Sequence, residues 1–404
     1  MSTAAGPLQR PDSRVYVVIP VHNRLDFTRR CLDALTLSTW GRRKIVVVDD
    51  GSTDGTKEAL QAEYPDVTVL PGNGRLWWTG AMASAVRSLE NRFQAGEYLM
   101  SLNNDTLVEP DTVSRLIEVS MMYGRGMVAA AARKEDGRYV AVGARLPFGR
   151  TLGSSLGQCR QEAKGELGVV EADTLFGRAT LIPVEAFEVV GNYRPEQFPQ
   201  YWGDSDFSLR AQRAGIPQLI TFATVVRCAE DARTTGLHYA PEHVVSLRQA
   251  VTMLFSRRSN FCLLYAARFM WMHAPEGQRL VSVFRLCSSN CHVVLRRTLL
   301  YPVMRSVAAL SRRILPDQLL TYPEMRRLGF DPAALVREKV VVAGRIRHAY
   351  WIVESFTTMW HEHPEYRRLM LHSRNPLNRL RKARWFRRAE RRERRRLARG
   401  GQRV

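Results

Sequence analysis

The chain has 404 residues, of which 45% are hydrophobic, 9% aromatic and 25% charged. This composition excludes collagen-like, low-complexity and wholly disordered classes. The formal net charge is +21, but residues 374–404 hold 14 basic and two acidic side chains, so this tail accounts for +12 and residues 1–373 for +9. The charge therefore favours a moderately basic protein with a very basic tail over a uniformly basic nucleic-acid binder.

The cysteines and the N-terminus bear on the cellular compartment. The six cysteines are scattered along the chain, a distribution typical of reduced thiols in a cytosolic protein. Residues 1–14 contain no apolar signal-peptide core, and no segment reaches the roughly 18 uninterrupted apolar residues of a spanning helix. We therefore expect a cytoplasmic protein.

The first half of the chain alternates between two periodicities. Four short apolar runs are separated by segments with helical spacing, and they lie at Val15–Ile19, Ile45–Val48, Val67–Leu70 and Tyr98–Leu102. Strands that are apolar on both faces and alternate with helices predict a parallel sheet covered on both sides. The predicted fold class is α/β, with a Rossmann-like, mostly parallel sheet, helices on both faces and a mainly helical C-terminal region.

Acidic and amide side chains gather directly after two of these runs, at the sheet edge where ligands bind in open α/β folds. Asp49 and Asp50 open a Gly-rich turn, and a carboxylate there can accept a hydrogen bond from a base or a ribose. Asn103, Asn104 and Asp105 follow the fourth run, and such oxygens suit Mg²⁺ or Mn²⁺ shared with a diphosphate. Each cluster also has a local explanation as an Asx turn or a helix cap.

A third acidic cluster lies in residues 201–210, where Asp204 and Asp206 fall at or near the first turn of a predicted helix. The helix dipole favours carboxylates at this position, so capping by one of them is a sufficient local explanation. Two acids flanked by aromatic residues also fit a site in which one acid faces a cleft and the other is held locally.

The clusters together resemble the family 2 glycosyltransferases with a GT-A fold. The resemblance covers roughly residues 14–270 and rests on four motifs in the family's order: Val18-Ile-Pro-Val-His-Asn-Arg24, Val46-Val-Val-Asp-Asp-Gly-Ser-Thr-Asp-Gly-Thr56, Leu102-Asn-Asn-Asp-Thr106 and Gly203-Asp-Ser-Asp-Phe-Ser-Leu-Arg210. The segment Gly72–Met82 is similar to the rhamnosyltransferase-like branch, which builds bacterial surface polysaccharides. An Arg-Asn element in residues 257–260 is similar to one that follows the catalytic domain in that branch.

The resemblance implies a role for each matching position. Asp204 is the expected catalytic base, and Asp105 is the expected ligand of a divalent metal, Mg²⁺ or Mn²⁺, with His238 as a second candidate ligand. The residues implied in binding the nucleotide sugar are Pro20, His22, Asn23, Asp49, Asp50, Arg75, Trp77 and Asn104.

The chain departs from the family pattern at three positions. Its DxD motif keeps only the last acid, Asp105. Ala83 stands where relatives usually have Asn, and Gly203 stands where they commonly have Glu.

Four regions are expected along the chain: a flexible N-terminus (1–13), a GT-A glycosyltransferase domain (14–240), a helical C-terminal region (241–373) and the basic tail (374–404). A basic segment with aromatic residues can lie on an anionic membrane surface. We therefore expect peripheral association at the inner face of the cell membrane, and the alternative is a solvated tail.

The sequence therefore predicts an inverting glycosyltransferase. It would move a sugar, with dTDP-L-rhamnose as the favoured donor, to a hydroxyl of a cell-surface glycan or a lipid-linked acceptor. Nucleic acid is not an expected partner. The alternative is an inactive GT-A relative that acts as a basic membrane or polysaccharide-assembly interaction protein.

Overall fold

The computed structural model describes residues 13–300 except 136, 138, 150–153, 157–162, 229–244 and 258. The described residues fall into two compact units, one of residues 13–228 and 251–291 and the other of residues 245–250 and 292–300.

The described strands are β1 (Val15–Val21), β2 (Arg43–Asp49), β3 (Thr68–Pro71), β4 (Tyr98–Leu102), β5 (Thr106–Leu107), β6 (Met127–Lys134), β7 (Tyr139–Val140), β8 (Gly143–Arg145), β9 (Ser154–Leu156), β10 (Val169–Glu171), β11 (Thr174–Leu175), β12 (Ala179–Pro183) and β13 (Gln218–Cys228). The described α-helices are α1 (Leu25–Thr36), α2 (Thr56–Glu63), α3 (Trp77–Leu89), α4 (Thr112–Met122), α5 (Glu185–Val190), α6 (Gly203–Arg213), α7 (Leu247–Phe255), α8 (Leu263–His273) and α9 (Arg279–Leu295). None of these helices is long and apolar enough to cross a membrane.

The larger sheet has the strand order β10-β13-β6-β12-β4-β1-β2-β3, with β5 paired to β13 and β7 to β6. Four of the seven neighbouring pairs in this order are parallel, and the three that involve β10 or β12 are antiparallel. The chain moves outward from β1 to β3 and then returns past β1 to β4. Because crossovers between parallel strands are right-handed, α1 and α2 lie on one face and α3 on the other. The predicted α/β fold with a helical C-terminal region is confirmed.

The central strands form because their side chains are apolar on both faces. Val15–Ile19 of β1, Val46–Val48 of β2 and all of β4 are at most 1% exposed. Burial of each such aliphatic side chain contributes about 1.5–3 kcal/mol relative to leaving it in water. Each strand is therefore held in register up to its carboxyl end, and the polar residues that follow β1, β2 and β4 meet at one edge of the sheet.

A buried ion-pair network joins α6 to α8. The completely buried Asp206 accepts hydrogen bonds from Nε of Arg210 (3.0 Å) and from Nε2 of His273 (2.9 Å). Arg213 donates to Nδ1 of His273 (3.3 Å), which leaves the ring proton on Nε2. Burial by itself raises the pKa of the Asp206 carboxyl, but the hydrogen bond from His273 and the charge of Arg210 outweigh it and lower that pKa below its ordinary value.

The N-terminus of α3 packs directly against that of α6. A Cβ atom at Gly203 would lie 2.1 Å from Oγ1 of Thr79, far inside contact distance. The backbone N–H of Thr79 donates to the carbonyl of Pro199 (3.0 Å), which holds α3 against the segment before α6. Position 203 therefore has no room for a side chain.

We expect Asp206→Asn to lower the free energy of unfolding at pH 7 by about 3 kcal/mol, because Arg210 then remains buried without its counter-charge. The folded-state pKa of Asp206 is lower than the unfolded value of about 3.9. Its stabilisation is therefore fully present above the unfolded pKa and is lost as the pH falls through the folded pKa. Urea unfolding followed by circular dichroism should show the stability curves of the two proteins converging below about pH 4.

Asp66→Asn is the matched control, since Asp66 is exposed between α2 and β3. We expect it to change stability by no more than about 0.5 kcal/mol at any pH. A constant difference between wild type and Asp206→Asn from pH 7 to pH 3 would contradict the linkage assigned to Asp206.

We expect Gly203→Ala to destabilise the fold by about 1–3 kcal/mol, because the new methyl group overlaps the side chain of Thr79. Thr79→Ala in the same chain should restore part of this loss. Gly41→Ala is the control, because a Cβ atom at Gly41 meets no heavy atom within 4 Å. Equal melting temperatures for the two single variants would show that α3 and α6 are not packed as described.

Candidate active site

Three groups of predicted residues meet at the carboxyl ends of β1, β2 and β4. Pro20 lies in β1 opposite Val48 of β2. The ring Nδ1 of His22 donates to the carbonyl oxygen of Asp50 (2.7 Å), and the guanidinium of Arg24 donates to Asp105 (3.3 Å). The strand order reverses at this edge, because β2 and β4 lie on opposite sides of β1. Open α/β sheets bind ligands at such a switch point.

His22 and Asn23 join the end of β1 to the turn after β2. The Asn23 backbone N–H donates to Oγ of Ser52 (2.9 Å), and its side-chain oxygen accepts the N–H of Thr53 (2.6 Å). The side-chain amide of Asn23 donates to Nε2 of His22 (3.1 Å). Because Nδ1 of His22 donates and Nε2 accepts, the ring is the neutral Nδ1–H tautomer. Both side chains are exposed at the sheet edge.

The two adjacent acids after β2 have different roles. Asp49 accepts the N–H of Ser52 (3.0 Å) and so forms the local turn. Asp50 reaches across to the Gly-rich loop, where its two carboxylate oxygens accept the N–H groups of Gly74 (2.8 Å) and Trp77 (2.9 Å). Asp49 thus forms the Asx turn that its local sequence predicts. Asp50 instead binds the backbone of a separate segment of the chain.

The loop held by Asp50 carries Arg75 and leads into α3. A Cβ atom at Gly72 would lie 2.6 Å from the carboxylate of Asp50, so only glycine permits this close approach. Trp77, the first residue of α3, has a φ of +59°, a left-handed conformation that is costly for a large side chain. Asp50 therefore sets the position of both predicted donor residues, Arg75 and Trp77.

Asn104 and Asp105 present two oxygens to one cationic group. Nη1 of Arg24 lies 3.4 Å from Oδ1 of Asn104 and 3.3 Å from Oδ2 of Asp105. The amide nitrogen of Asn104 donates to Thr28 (3.1 Å), which turns its oxygen outward to this point. Nε and Nη2 of Arg24 are buried and have no hydrogen-bond partner among the described residues.

This oxygen pair bears on the predicted metal. A carboxylate and an amide oxygen that converge on one cation are the ligand types that Mg²⁺ and Mn²⁺ take together with substrate phosphates. Asp105 and Asn104 therefore fit a divalent metal, although the described residues contain no cluster of three acidic, histidine or cysteine ligands. His238 and the basic tail (374–404) lie outside the described residues.

Asp204 lies in the first turn of α6 and is joined to the end of β4 through two neighbouring residues. Its carboxylate accepts the N–H groups of Gly177 (3.1 Å) and Ser205 (2.7 Å). The carbonyl of Arg178, next to Gly177, accepts the N–H of Asn103 (3.1 Å). Burial raises the pKa of the Asp204 carboxyl and outweighs these hydrogen bonds, which act in the opposite direction.

The backbone before Asp204 is strained. Trp202 precedes α6 with a φ of +73°. Its ring packs against the ring of Phe269 in α8, and the two ring centroids are 4.8 Å apart. A left-handed tryptophan persists only where the surrounding packing compensates for its conformational cost. The packing of Trp202 on α8 therefore helps to hold the start of α6, and with it the backbone of Asp204.

One departure from the family pattern, Gly203, has a physical reason in the packing. Gly203 cannot be replaced by a larger residue, because Thr79 occupies the space of its side chain. Ala83 is completely buried within α3, and its carbonyl accepts a hydrogen bond from the side chain of Asn192 (3.0 Å).

Sequence reasoning assigned no role to several residues that shape this site. Nε1 of Trp78 donates to the side chain of Asn103 (3.0 Å), and a Cβ atom at Gly177 would lie 2.0 Å from the Trp78 ring. Arg24 directly follows the predicted His22-Asn23 pair. Its position just after a strand is the sequence feature that could have identified it as a site residue. The contact between Trp78 and Gly177 joins distant segments and has no local signal.

The comparisons with known proteins find glycosyltransferases. Residues 16–156 match the model of the family described as Glycosyl transferase family 2. The glycosyltransferase GlyA of Streptococcus pneumoniae serotype 4 is 29% identical over 116 residues, which are 28% of this chain and 16% of that protein. The N-acetylglucosaminyl-diphospho-decaprenol L-rhamnosyltransferase of Mycobacterium tuberculosis is 27% identical over 236 residues, which are 53% of this chain and 76% of that enzyme.

Among solved structures, the mannosyltransferase PcManGT of Pyrobaculum calidifontis, in complex with GDP-Man and Mn²⁺, aligns over 89% of this chain and 90% of its own, with 18% identity and a TM-score of 0.47. The sheet carries polar residues at the carboxyl ends of β1, β2 and β4, as the sequence predicts. Residues 16–156 of this chain therefore match the glycosyl transferase family 2 model, and 53% of the chain is similar to an L-rhamnosyltransferase.

Proposed function

We propose that the protein transfers a sugar from a nucleoside-diphosphate donor to a hydroxyl of a cell-surface glycan or lipid-linked acceptor, with inversion at the anomeric carbon. The observation that carries the proposal is Asp204, a carboxylate of raised pKa joined through Gly177 and Arg178 to the end of β4. The favoured donor is dTDP-L-rhamnose, because the relative from Mycobacterium tuberculosis is named as an L-rhamnosyltransferase.

Asp204 is the proposed general base. Its carboxylate takes the proton of the acceptor hydroxyl while that oxygen forms a bond to the anomeric carbon. The bond between this carbon and the donor diphosphate breaks on the opposite side, which inverts the configuration. A pKa raised by burial makes the carboxylate a stronger base than a solvated aspartate, and one base suffices because no covalent intermediate forms.

The ends of β1 and β2 form the proposed nucleotide pocket. Pro20, His22 and Asn23 line one side, and Asp49 and Asp50 line the other. The carboxylate of Asp50 accepts two backbone N–H groups and retains lone pairs for the base. Arg75 and Trp77, in the loop that Asp50 holds, are the proposed residues that close over the donor.

The negative charge of the departing diphosphate needs a cation. We assign a divalent metal to Asp105 and Asn104, with His238 as a further ligand, and when bound this metal would neutralise the diphosphate oxygens. Arg24 is the second source of positive charge, because its buried Nε and Nη2 can donate to a phosphate oxygen.

The proposed location is the cytoplasm, with the basic tail (374–404) in contact with anionic lipid at the inner face of the cell membrane. This location would bring the domain close to a lipid-linked acceptor.

We expect Asp204→Asn to lower kcat for sugar transfer by about 10²–10⁴-fold, because the amide cannot accept the hydroxyl proton. Donor binding, measured by isothermal titration calorimetry with dTDP-L-rhamnose and with UDP-hexoses, should stay unchanged. The control variant is Asp66→Asn, since Asp66 is exposed and precedes the amino end of β3, whereas the site lies at the carboxyl ends of the strands. A transfer rate equal to that of the wild type would rule out Asp204 as the base.

Removal of metal should test the role of Asp105. Dialysis against EDTA should lower the transfer rate at least about tenfold, and added Mn²⁺ or Mg²⁺ should restore it. In Asp105→Asn, restoration of the rate should require more metal, because the substitution removes the proposed carboxylate ligand. Asp105 is the only carboxylate that contacts Arg24 among the described residues. If the EDTA-treated enzyme keeps its full rate, the charge on the diphosphate is neutralised by Arg24 and the metal assignment is wrong.

A further inference from the structure

A groove lies beside α3 and shares Arg75 and Trp77 with the proposed donor site. It is a groove of about 450 Å³ lined by the loop before α3, by α3 itself, by residues 195–199 and by residues 255–268. Four of its lining residues are arginines, namely Arg75, Arg87, Arg257 and Arg268. Among the described lining residues Glu196 is the only acid, so the groove has an excess of three positive charges.

Three of these four arginines have no counter-charge among the described residues. In the part of the chain that the structure describes, the side chains of Arg75, Arg87 and Arg257 form no ion pair and no hydrogen bond. Arg268 donates to the carbonyl of Gln197 (2.9 Å) and lies 5.8 Å from the ring of Tyr265. Like charges that line one groove repel each other unless an anion binds among them. Guanidinium groups pair with phosphate oxygens in bidentate geometry.

The same groove also presents large apolar side chains to solvent. Phe255 is 68% exposed and Leu264 is 59% exposed, while Leu76, Trp77 and Tyr265 form further apolar parts of its wall. A simple anion would gain nothing from these side chains. Cations beside exposed apolar groups instead match a ligand that joins a phosphate group to an apolar chain.

A chain of contacts links the groove to the start of α6. Gly80 and Pro199 are among its lining residues. Thr79, which precedes Gly80, donates its N–H to the carbonyl of Pro199, and its side chain fills the space beside Gly203. Gly203 directly precedes Asp204. Thr79 and Pro199 therefore connect the wall of the groove to the residue that precedes Asp204.

We propose that this groove binds the acceptor through a phosphate or diphosphate group attached to an apolar chain. Arg87, Arg257 and Arg268 hold the anion, and Phe255 and Leu264 contact the start of the chain. The identification of this ligand as the acceptor rests on the proposed function, whereas the binding chemistry of the groove does not.

The test uses the full chain and three probes in equilibrium dialysis: farnesyl diphosphate, inorganic pyrophosphate and dTDP-L-rhamnose. We expect farnesyl diphosphate to bind more tightly than pyrophosphate. Arg87→Gln and Arg257→Gln should each weaken farnesyl diphosphate binding at least about tenfold, the loss expected for one charge-assisted hydrogen bond. Both variants should bind dTDP-L-rhamnose as the wild type does. Arg87→Lys should retain part of the affinity because it keeps the charge.

Arg92→Gln is the matched control, because Arg92 is an exposed arginine in the turn after α3 and does not line the groove. It should leave all three affinities unchanged. Unaltered farnesyl diphosphate binding in Arg87→Gln and Arg257→Gln would overturn the proposal. So would a parallel loss of dTDP-L-rhamnose binding, which would assign the groove to the donor, or equal affinities for pyrophosphate and farnesyl diphosphate.

The same measurements separate this proposal from the proposed function. A wild-type chain that binds farnesyl diphosphate through Arg87 and Arg257 but transfers no sugar supports the groove and contradicts the glycosyltransferase activity. A chain that transfers sugar at the same rate and with the same acceptor KM in Arg87→Gln and Arg257→Gln supports the activity and overturns the groove.

Discussion

The site depends on one interaction, the buried carboxylate of Asp50 with the backbone of the loop before α3. A buried carboxylate needs hydrogen-bond donors, and here two N–H groups of that loop supply them. This contact sets where α3 begins. Thr79, in the first turn of α3, then packs on Gly203 and so determines where α6 and Asp204 begin. The nucleotide end of the site and the proposed base are thus positioned by one chain of contacts.

Two acids in one turn of α6 have opposite properties because their surroundings differ. Asp204 is desolvated and receives only neutral donors, so its pKa is raised. Asp206 is completely buried and Asp204 only partly buried, but Arg210 and His273 stabilise the charge of Asp206 and lower its pKa. A carboxylate paired in this way is a weak base, whereas one of raised pKa can accept a proton. Asp206 therefore stabilises the fold, whereas the raised pKa of Asp204 is consistent with its proposed role as the base.

Two places in the body present positive charge that suits phosphate. Arg24 meets the oxygens of Asn104 and Asp105 at the end of β4, with two of its donor nitrogens unpaired among the described residues. Three arginines of the groove beside α3 have no counter-charge in the described part of the chain. Both positions are consistent with a reaction that separates one diphosphate from a sugar and takes an acceptor that carries another phosphate.

The sequence by itself determined the α/β fold, the positions of the central strands and the strand ends that carry polar groups, because apolar periodicity and motif spacing are local properties. It also placed Asp204 and Asp206 in the first turn of one helix. Only the tertiary structure decided that Asp50 holds a distant loop, that Arg24 meets Asp105 and that the two acids of α6 differ in pKa. The physical reason is that burial and hydrogen-bond partners come from segments far apart in the chain, and local spacing does not specify which of those segments meet.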